Sequence, residues 1–476
     1  MSITLINALA LAAFLLLAFR AGRDRALRIC GGETARLHSL PNYYGYYLVW
    51  LVGLPVFLIF IGWLIAEPRV LYALVMSGLP ENLASLPPER LAVAWRDIQA
   101  IAAGGAASSD YEGLKALAQD YARLERLSEA GLFAVTGMLA LLLFGIGRGR
   151  IGKSFRARNR VEGAIRGVMI FASVVAILTT LGILFSVLFE SIRFFNLVSI
   201  EEFLFGTQWS PQTPLREEQV GQSGIFGALP VFAGTLLIAA VAMLVAGPVG
   251  LLIAVFLSEY AGPHTRSWVK PVIEVLAGIP TVVYGFFAFL TVGPALREGF
   301  QQLGMWVTGA SSATGLIGTM WDAPTQMALV AGSVMGIMII PFVSSLSDDV
   351  INAVPQSLRD GSLALGATHS ETMTRVVFPA ALPGIVGAFL LAISRAIGET
   401  MIVVMAAGLA ANLTVNPIEP VTTVTVQIVY LLTGDFEFGG PKTLSAFALG
   451  LVLFVVTLCL NMLALRVVQK YREKYD

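Results

Sequence analysis

The sequence predicts an all-α polytopic membrane protein, and three observations carry that expectation. Hydrophobic residues make up 56% of the 476-residue chain and charged residues only 13%, about half the charged share of an ordinary soluble domain. Apolar runs long enough to cross about 30 Å of hydrocarbon, which takes roughly 20 helical residues, recur along the chain. Lysine and arginine gather in the connections between those runs, as short cytoplasmic loops require.

Taken in order, spans are expected near residues 2–19, 46–66, 130–147, 164–189, 228–257, 272–292, 326–347, 381–408 and 444–465. The fifth is long enough to tilt, or to break at Gly247-Pro248. The first run precedes Arg20, Arg23, Arg25 and Arg28, the reverse of a cleaved signal peptide, so it should remain as a helix with its N-terminus outside. From Arg148 to Arg166 there are seven basic residues and one acid, Glu162, and the C-terminal tail carries Arg466, Lys470, Arg472 and Lys474. Alternating from an outside N-terminus puts both stretches in the cytoplasm, together with the connections at 258–271 and 348–380.

The basic connection contains GRGRIGKS, residues 147–154, which fits the phosphate-loop formula G-x-x-x-x-G-K-[ST]. A phosphate loop needs a β-strand before it and an acidic Mg²⁺ ligand on another strand. Here LFAVTGMLALLLFGI precedes it, an apolar run that reads as a membrane helix. The expectation is a positive-inside signal and no ATPase site, so any ATP must be hydrolysed by another chain. Net charge is zero, which gives no electrostatic case for nucleic acid. His38, His264 and His369 are scattered, and Cys30 and Cys459 stand far apart, so neither a metal centre nor a disulfide scaffold is expected, and no cofactor.

Residues 67–129 form the longest polar connection, on the extracytoplasmic side. Within it Leu114, Leu117, Tyr121 and Leu124 share one face of an amphipathic helix, and GGAASSD, 104–110, reads as a flexible link. Residues 1–150 are therefore expected to be an accessory membrane region of three spans, followed by a unit of six.

The eighth span, LPGIVGAFLLAISRAIGETMIVVMAAG, carries two ionisable residues. Arg395 is its fourteenth residue, about 20 Å along an upright helix and so near mid-bilayer. Charge there costs several kcal/mol unless it faces a partner or a water-filled path. Glu399 lies four residues on, one turn above on the same face, where the two could neutralise one another. Three readings stand: a lock between two helices, an anion site on a transport path with Arg395 as the oxyanion fork, or a proton relay. Pro280 in AGIPTVVYGFF should kink the helix near its start, one turn before Tyr284, and GSVMG, 332–336, should allow close helix packing.

The loop DDVINAVPQSLRDGSLALGATHSETMTRVVFPAALPGI, 348–385, should form a short helix after Pro355, a turn near Gly366 and a second helical piece from about Ser370 to Val377. Leu363, Ala364 and Leu365 offer apolar area, and Asp360 and Arg375 polar edges, to a cytoplasmic partner.

At this loop the chain resembles the permeases of binding-protein-dependent ABC importers, whose signature is E-A-A, three residues, G, nine residues, I-x-L-P. The matching positions are Asp360, Gly361, Ser362, Gly366, Val376, Phe378 and Pro379, with Asp in place of Glu and Gly in place of the first Ala. The resemblance implies that Asp360, Gly361, Ser362, Leu363, Ala364, Leu365 and Gly366 contact an ATP-hydrolysing subunit. LAGIPTVVYGFF, LALGATHSETMTRVVFPAALPGIVGA and SRAIGETMIVVMAAG are more similar still to PstC-type permeases of the phosphate importer, over roughly residues 160–470. The fold implied is a six-helix ABC importer permease core with an N-terminal three-span extension, in the bacterial inner membrane, with the N-terminus periplasmic and the C-terminus cytoplasmic. The partners implied are inorganic phosphate, a second permease resembling PstA, two ATP-binding subunits, a periplasmic phosphate-binding protein and membrane lipid. Arg395 and Glu399 fall where that family's phosphate path runs. A permease for another oxyanion such as sulfate or molybdate, and an ion-coupled secondary anion transporter, are the alternatives.

Overall fold

The computed structural model describes residues 3–31, 34, 37–79, 87–106, 113–212, 224–308, 323–433 and 440–471. Eight of its helices are long and apolar enough to cross a membrane, or nine if one sharply bent pair counts as a span. The chain divides into two compact units, residues 1–179 and 180–476.

The first unit opens with α1 (Ile3–Ile29) and α2 (Pro41–Ser77), which cross where side chains vanish. A Cβ on Gly22 would lie 2.6 Å from the Tyr44 carbonyl oxygen, and one on Gly45 would strike the Phe19 ring, so the two backbones touch as small-residue crossings allow. Helix α3 (Pro88–Ala102) and the first turns of α4 (Leu114–Arg150) form an apolar cluster with the end of α2. Leu114 and Leu117 are buried there, with Tyr121 and Leu124 packed against Val75, Ala94 and Ile98, the face that their spacing predicts. Trp95 links Tyr72 and Tyr121 edge-on, with centroids 5.0 and 5.4 Å away.

The amphipathic segment is not a separate helix, however. It runs without a break into the third span, so the connection expected over 67–129 contracts to 78–113. Continuity holds because no glycine or proline interrupts residues 114–130. Of the expected link at 104–110, residues 107–110 lie outside the described residues.

The phosphate-loop match dissolves at the same helix. Gly147 through Arg150 are the last residues of α4, and a Cβ on Gly147 would lie 2.5 Å from the Leu51 side chain and 2.6 Å from that of Leu48. That glycine serves helix packing. Helix α5 (Ala157–Phe195) follows and carries the chain across the boundary between the units.

In the second unit, α6 (Ile200–Phe205) and a two-residue ribbon, β1 (Trp209–Ser210) antiparallel to β2 (Ile225–Phe226), enclose a knot of aromatic rings around Phe194. Helix α7 (Leu229–Val255) does not break at Gly247-Pro248; Pro248 is accommodated inside it, and a π turn at Phe256–Tyr260 ends it. Next come α8 (Pro263–Ala277), α9 (Thr281–Phe287), a π turn at Ala288–Val292 and α10 (Gly293–Thr308). The sixth span expected at 272–292 is instead broken by an 85° bend between α8 and α9. Gly278 ends one helix, Pro280 caps the next, and Tyr284 donates to the Leu276 carbonyl at 2.9 Å across the corner.

The centre of this unit is α11 (Ala328–Asn352), packed along α7. A Cβ on Gly332 would sit 2.6 Å from the Val241 side chain, and one on Gly336 2.8 Å from the Ala242 carbonyl, as the GSVMG spacing predicts. Four helical pieces then follow: α12 (Gln356–Ala364), α13 (His369–Thr372), a π turn at Met373–Val377 and α14 (Phe378–Ile397). The expected stop before Pro379 does not occur. Pro379 stands in the first turn of α14, just after the π turn, where its missing N–H is tolerated, and His369–Ile397 is one helix. Short helices α15 (Met401–Ala406) and α16 (Val424–Leu432) precede the final α17 (Pro441–Tyr471).

Candidate transport path and coupling surface

Arg395 lies in the last turn of α14, and the helix ends at Gly398. This corrects the expectation of an unbroken span over 381–408 with the arginine halfway along it. Gly398 is a poor helix former, and the carboxylate that follows it competes for backbone donors. Oε1 of Glu399 accepts from the backbone N–H groups of Thr400 and Met401, each at 3.2 Å, and so caps α15. The carbonyl of Glu399 accepts from Thr425 Oγ1 at 2.8 Å.

Arg395 and Glu399 are therefore not stacked on one helix face, and no ion pair joins them among the described residues. The exposed guanidinium rests instead on α11. Its Nη2 lies 3.7 Å from Met338 Sδ, and its Cζ lies 5.7 Å from the centroid of Phe342. Met338 and Phe342 are one turn apart and form a shelf that orients the cation without neutralising it. A Cβ added to Gly398 would meet only carbonyls of its own turn, at 3.7 Å.

Residues 399–423 fold back across the end of the unit rather than leaving it. Met327 N–H donates to Ala406, Ala328 to Glu419, Leu329 to Pro417 and Val421 to Ala407. Gln427 is 4% exposed, donates to Thr422 Oγ1 at 3.1 Å and accepts from Trp209 Nε1 at 3.0 Å. The backbone bonds tie residues 406–421 to the first turn of α11.

The second candidate surface is α12. Its C-terminus is a Schellman motif: Ala367 N–H bonds the Ser362 carbonyl, Gly366 N–H bonds that of Leu363, and Gly366 has φ +89°. Only glycine adopts that conformation without strain. The motif leaves Leu365 91% exposed at the tip. Thr368 and Glu371 then close a capping box that starts the next helix. Asp360 is exposed and accepts from Gln356 Nε2 at 3.1 Å. No residue of α12 is buried, so it is held from its edges: Ser362 Oγ lies 2.9 Å from Thr372 Oγ1, and Arg359 pairs with Glu259 while donating to the Ile351 carbonyl at 2.7 Å. Burial pulls the Arg359 pKa below the ordinary arginine value.

Beside it lies a cluster that hydropathy could not reveal. Asp348, 1% exposed near the end of α11, accepts from Arg266 Nη2 at 3.1 and 3.0 Å, from Lys270 Nζ at 3.0 Å and from Asn352 Nδ2 at 2.7 Å. Helix α8 buries no side chain of its own and is fixed to α11 by these bonds. The i, i+4 spacing of Arg266 and Lys270 was the available signal.

The second unit is thus a bundle closed on α7 and α11, with a projecting short helix between two spans. Residues 246–473 match the family described as "Binding-protein-dependent transport system inner membrane component", and residues 4–179 match "Phosphate ATP-binding cassette transporter". The phosphate transport system permease protein PstC of Mesorhizobium japonicum is 34% identical over 54% of this chain and 74% of its own. PstC of Haemophilus influenzae is 32% identical over 65% and 92%, and the probable ABC transporter permease YqgH of Bacillus subtilis is 31% identical over 63% and 89%. A chain from the crystal structure of a bacterial alginate ABC transporter superposes with a TM-score of 0.43 at 16% identity, covering 66% of this chain and 98% of its own. The chain belongs to the PstC-type permease family and is a multi-pass transport subunit, not an enzyme.

Proposed function

We propose that this chain forms part of the transmembrane path for ATP-driven import of inorganic phosphate. The observation that carries the reading is the match to phosphate permeases along most of their length. In this reading Arg395 holds the oxyanion by charge-assisted hydrogen bonds, and its exposure supports that role. Glu399 shapes the path as the cap that turns the chain into α15. Residues Asp360 to Gly366 meet an ATP-binding subunit, a role supported by the exposure of Leu365 and the rigidity of the Schellman turn. The complete assembly is a second, PstA-like permease, two ATP-binding subunits and a periplasmic phosphate-binding protein. It lies in the bacterial inner membrane, with the N-terminus of this chain periplasmic and its C-terminus cytoplasmic, in keeping with the basic stretches at 148–166 and 466–474. Residues 1–150 act as an accessory region and 160–470 as the permease core.

The test is ATP-dependent uptake of labelled phosphate by the reconstituted complex, with sulfate as competitor. Arg395→Ala is expected to lower phosphate uptake about tenfold or more in a complex that still assembles. Uptake equal to wild type would remove Arg395 from the path, and equal competition by sulfate would return the substrate to oxyanions at large.

A further inference from the structure

The short helix α12 has no fully buried residue, yet it must deliver force if it meets the motor. The side chain that ties it most directly to the bundle is Arg359, which stands at the root of the helix, one residue before the stretch matched to the family signature. Its guanidinium holds Glu259, in the π turn that ends α7, and the carbonyl of Ile351, in the last turn of α11. The side chains of Arg359 and Glu259 are 11% and 15% exposed, shielded enough that water screens their attraction little. Helices α7 and α11 are the tightly packed pair at the centre of the unit, joined where Gly332 and Gly336 admit Val241 and Val245. The far side of the α7–α11 pair reaches the candidate path, since α11 also supplies the Met338 and Phe342 shelf beneath Arg395.

We infer that the Glu259–Arg359 ion pair is the joint through which displacement of α12 moves α7 and α11 together, so that these two are positioning residues for coupling. This rests on the proposed contact between α12 and an ATP-binding subunit. A fork that grips two helix ends transmits push and pull to both, whereas the Ser362–Thr372 contact reaches only the helix that follows α12. The Asp348 cluster is separate, fixing α8 to α11 without touching α12.

The experiment uses the complete complex in proteoliposomes and reads ATP hydrolysed per phosphate imported. Arg359→Gln and Glu259→Gln are each expected to raise that ratio about fivefold or more while ATP-binding subunits still copurify. The exchanged pair, Glu259→Arg with Arg359→Glu, is expected to recover much of the lost coupling, giving a strongly non-additive cycle. If the single variants lose assembly, repair of both assembly and ratio by the exchange supports the joint. Uptake and hydrolysis falling in parallel, or an exchange no better than the single variants, overturns it. Leu365→Cys, oxidised against a cysteine introduced in the ATP-binding subunit, tests the underlying contact: no cross-link in a complex whose ratio still responds to Arg359 would refute the α12 contact alone.

Discussion

Helices α11 and α5 are both strongly apolar, yet most of the apolar stretch of α11 is buried within the chain and none of that of α5. The same apolar composition therefore serves as an inner strut in one place and as an open face in the other. What separates them is the small and polar residues. Gly332 and Gly336 are filled by α7, and Ser344 and Asp348 are buried and hydrogen-bonded on α11; Gly163, Gly167 and Gly182 of α5 have nothing within 4 Å of an added Cβ. Lipid satisfies an apolar face as well as another helix does, so only close packing and paired polar groups mark the interior.

This contrast can be broken most forcefully at Asp348. Asp348→Ala strips a buried acceptor from Arg266, Lys270 and Asn352, and is expected to cost about 3 kcal/mol, read as a lowered midpoint of thermal unfolding in detergent. Gly336→Val should cost about 2 kcal/mol by forcing α7 and α11 apart, measured in the same way. Gly366→Ala should cost about 1 kcal/mol, since it strains a left-handed turn, with the loss seen as faster amide exchange confined to α12. Leu178→Ala on α5, where the leucine is 61% exposed, should change the stability of the isolated chain by no more than about 0.5 kcal/mol. A larger loss in the assembled complex would identify that face as covered by another subunit; an equal one would leave it to lipid.

Much of the architecture was legible because membrane crossing is a matter of composition over about 20 residues. The packing of GSVMG and the amphipathic face at Leu114 to Leu124 were legible too, since both are periodic. Direction was not. Hydropathy is blind to the 85° corner at Gly278–Pro280, because the residues flanking it, 272–277 and 281–287, are mostly apolar on both sides. It joined α14 to α15 for the same reason, and so placed Glu399 over Arg395 when the carboxylate actually bonds the backbone just beyond it. The loop signature located α12 and its glycine, but its supports, Glu259 and Ile351, lie 100 and 8 positions from Arg359, beyond any local spacing rule. Asp348 looked like an ordinary loop acid because its partners come from a helix that the sequence reading had divided between a loop and a span.

The capping role of Glu399 has an electrical consequence. Its Oε1 is engaged by the backbone just beyond it rather than by the guanidinium four residues earlier, so the end of α14 presents a cation that no carboxylate among the described residues holds in an ion pair.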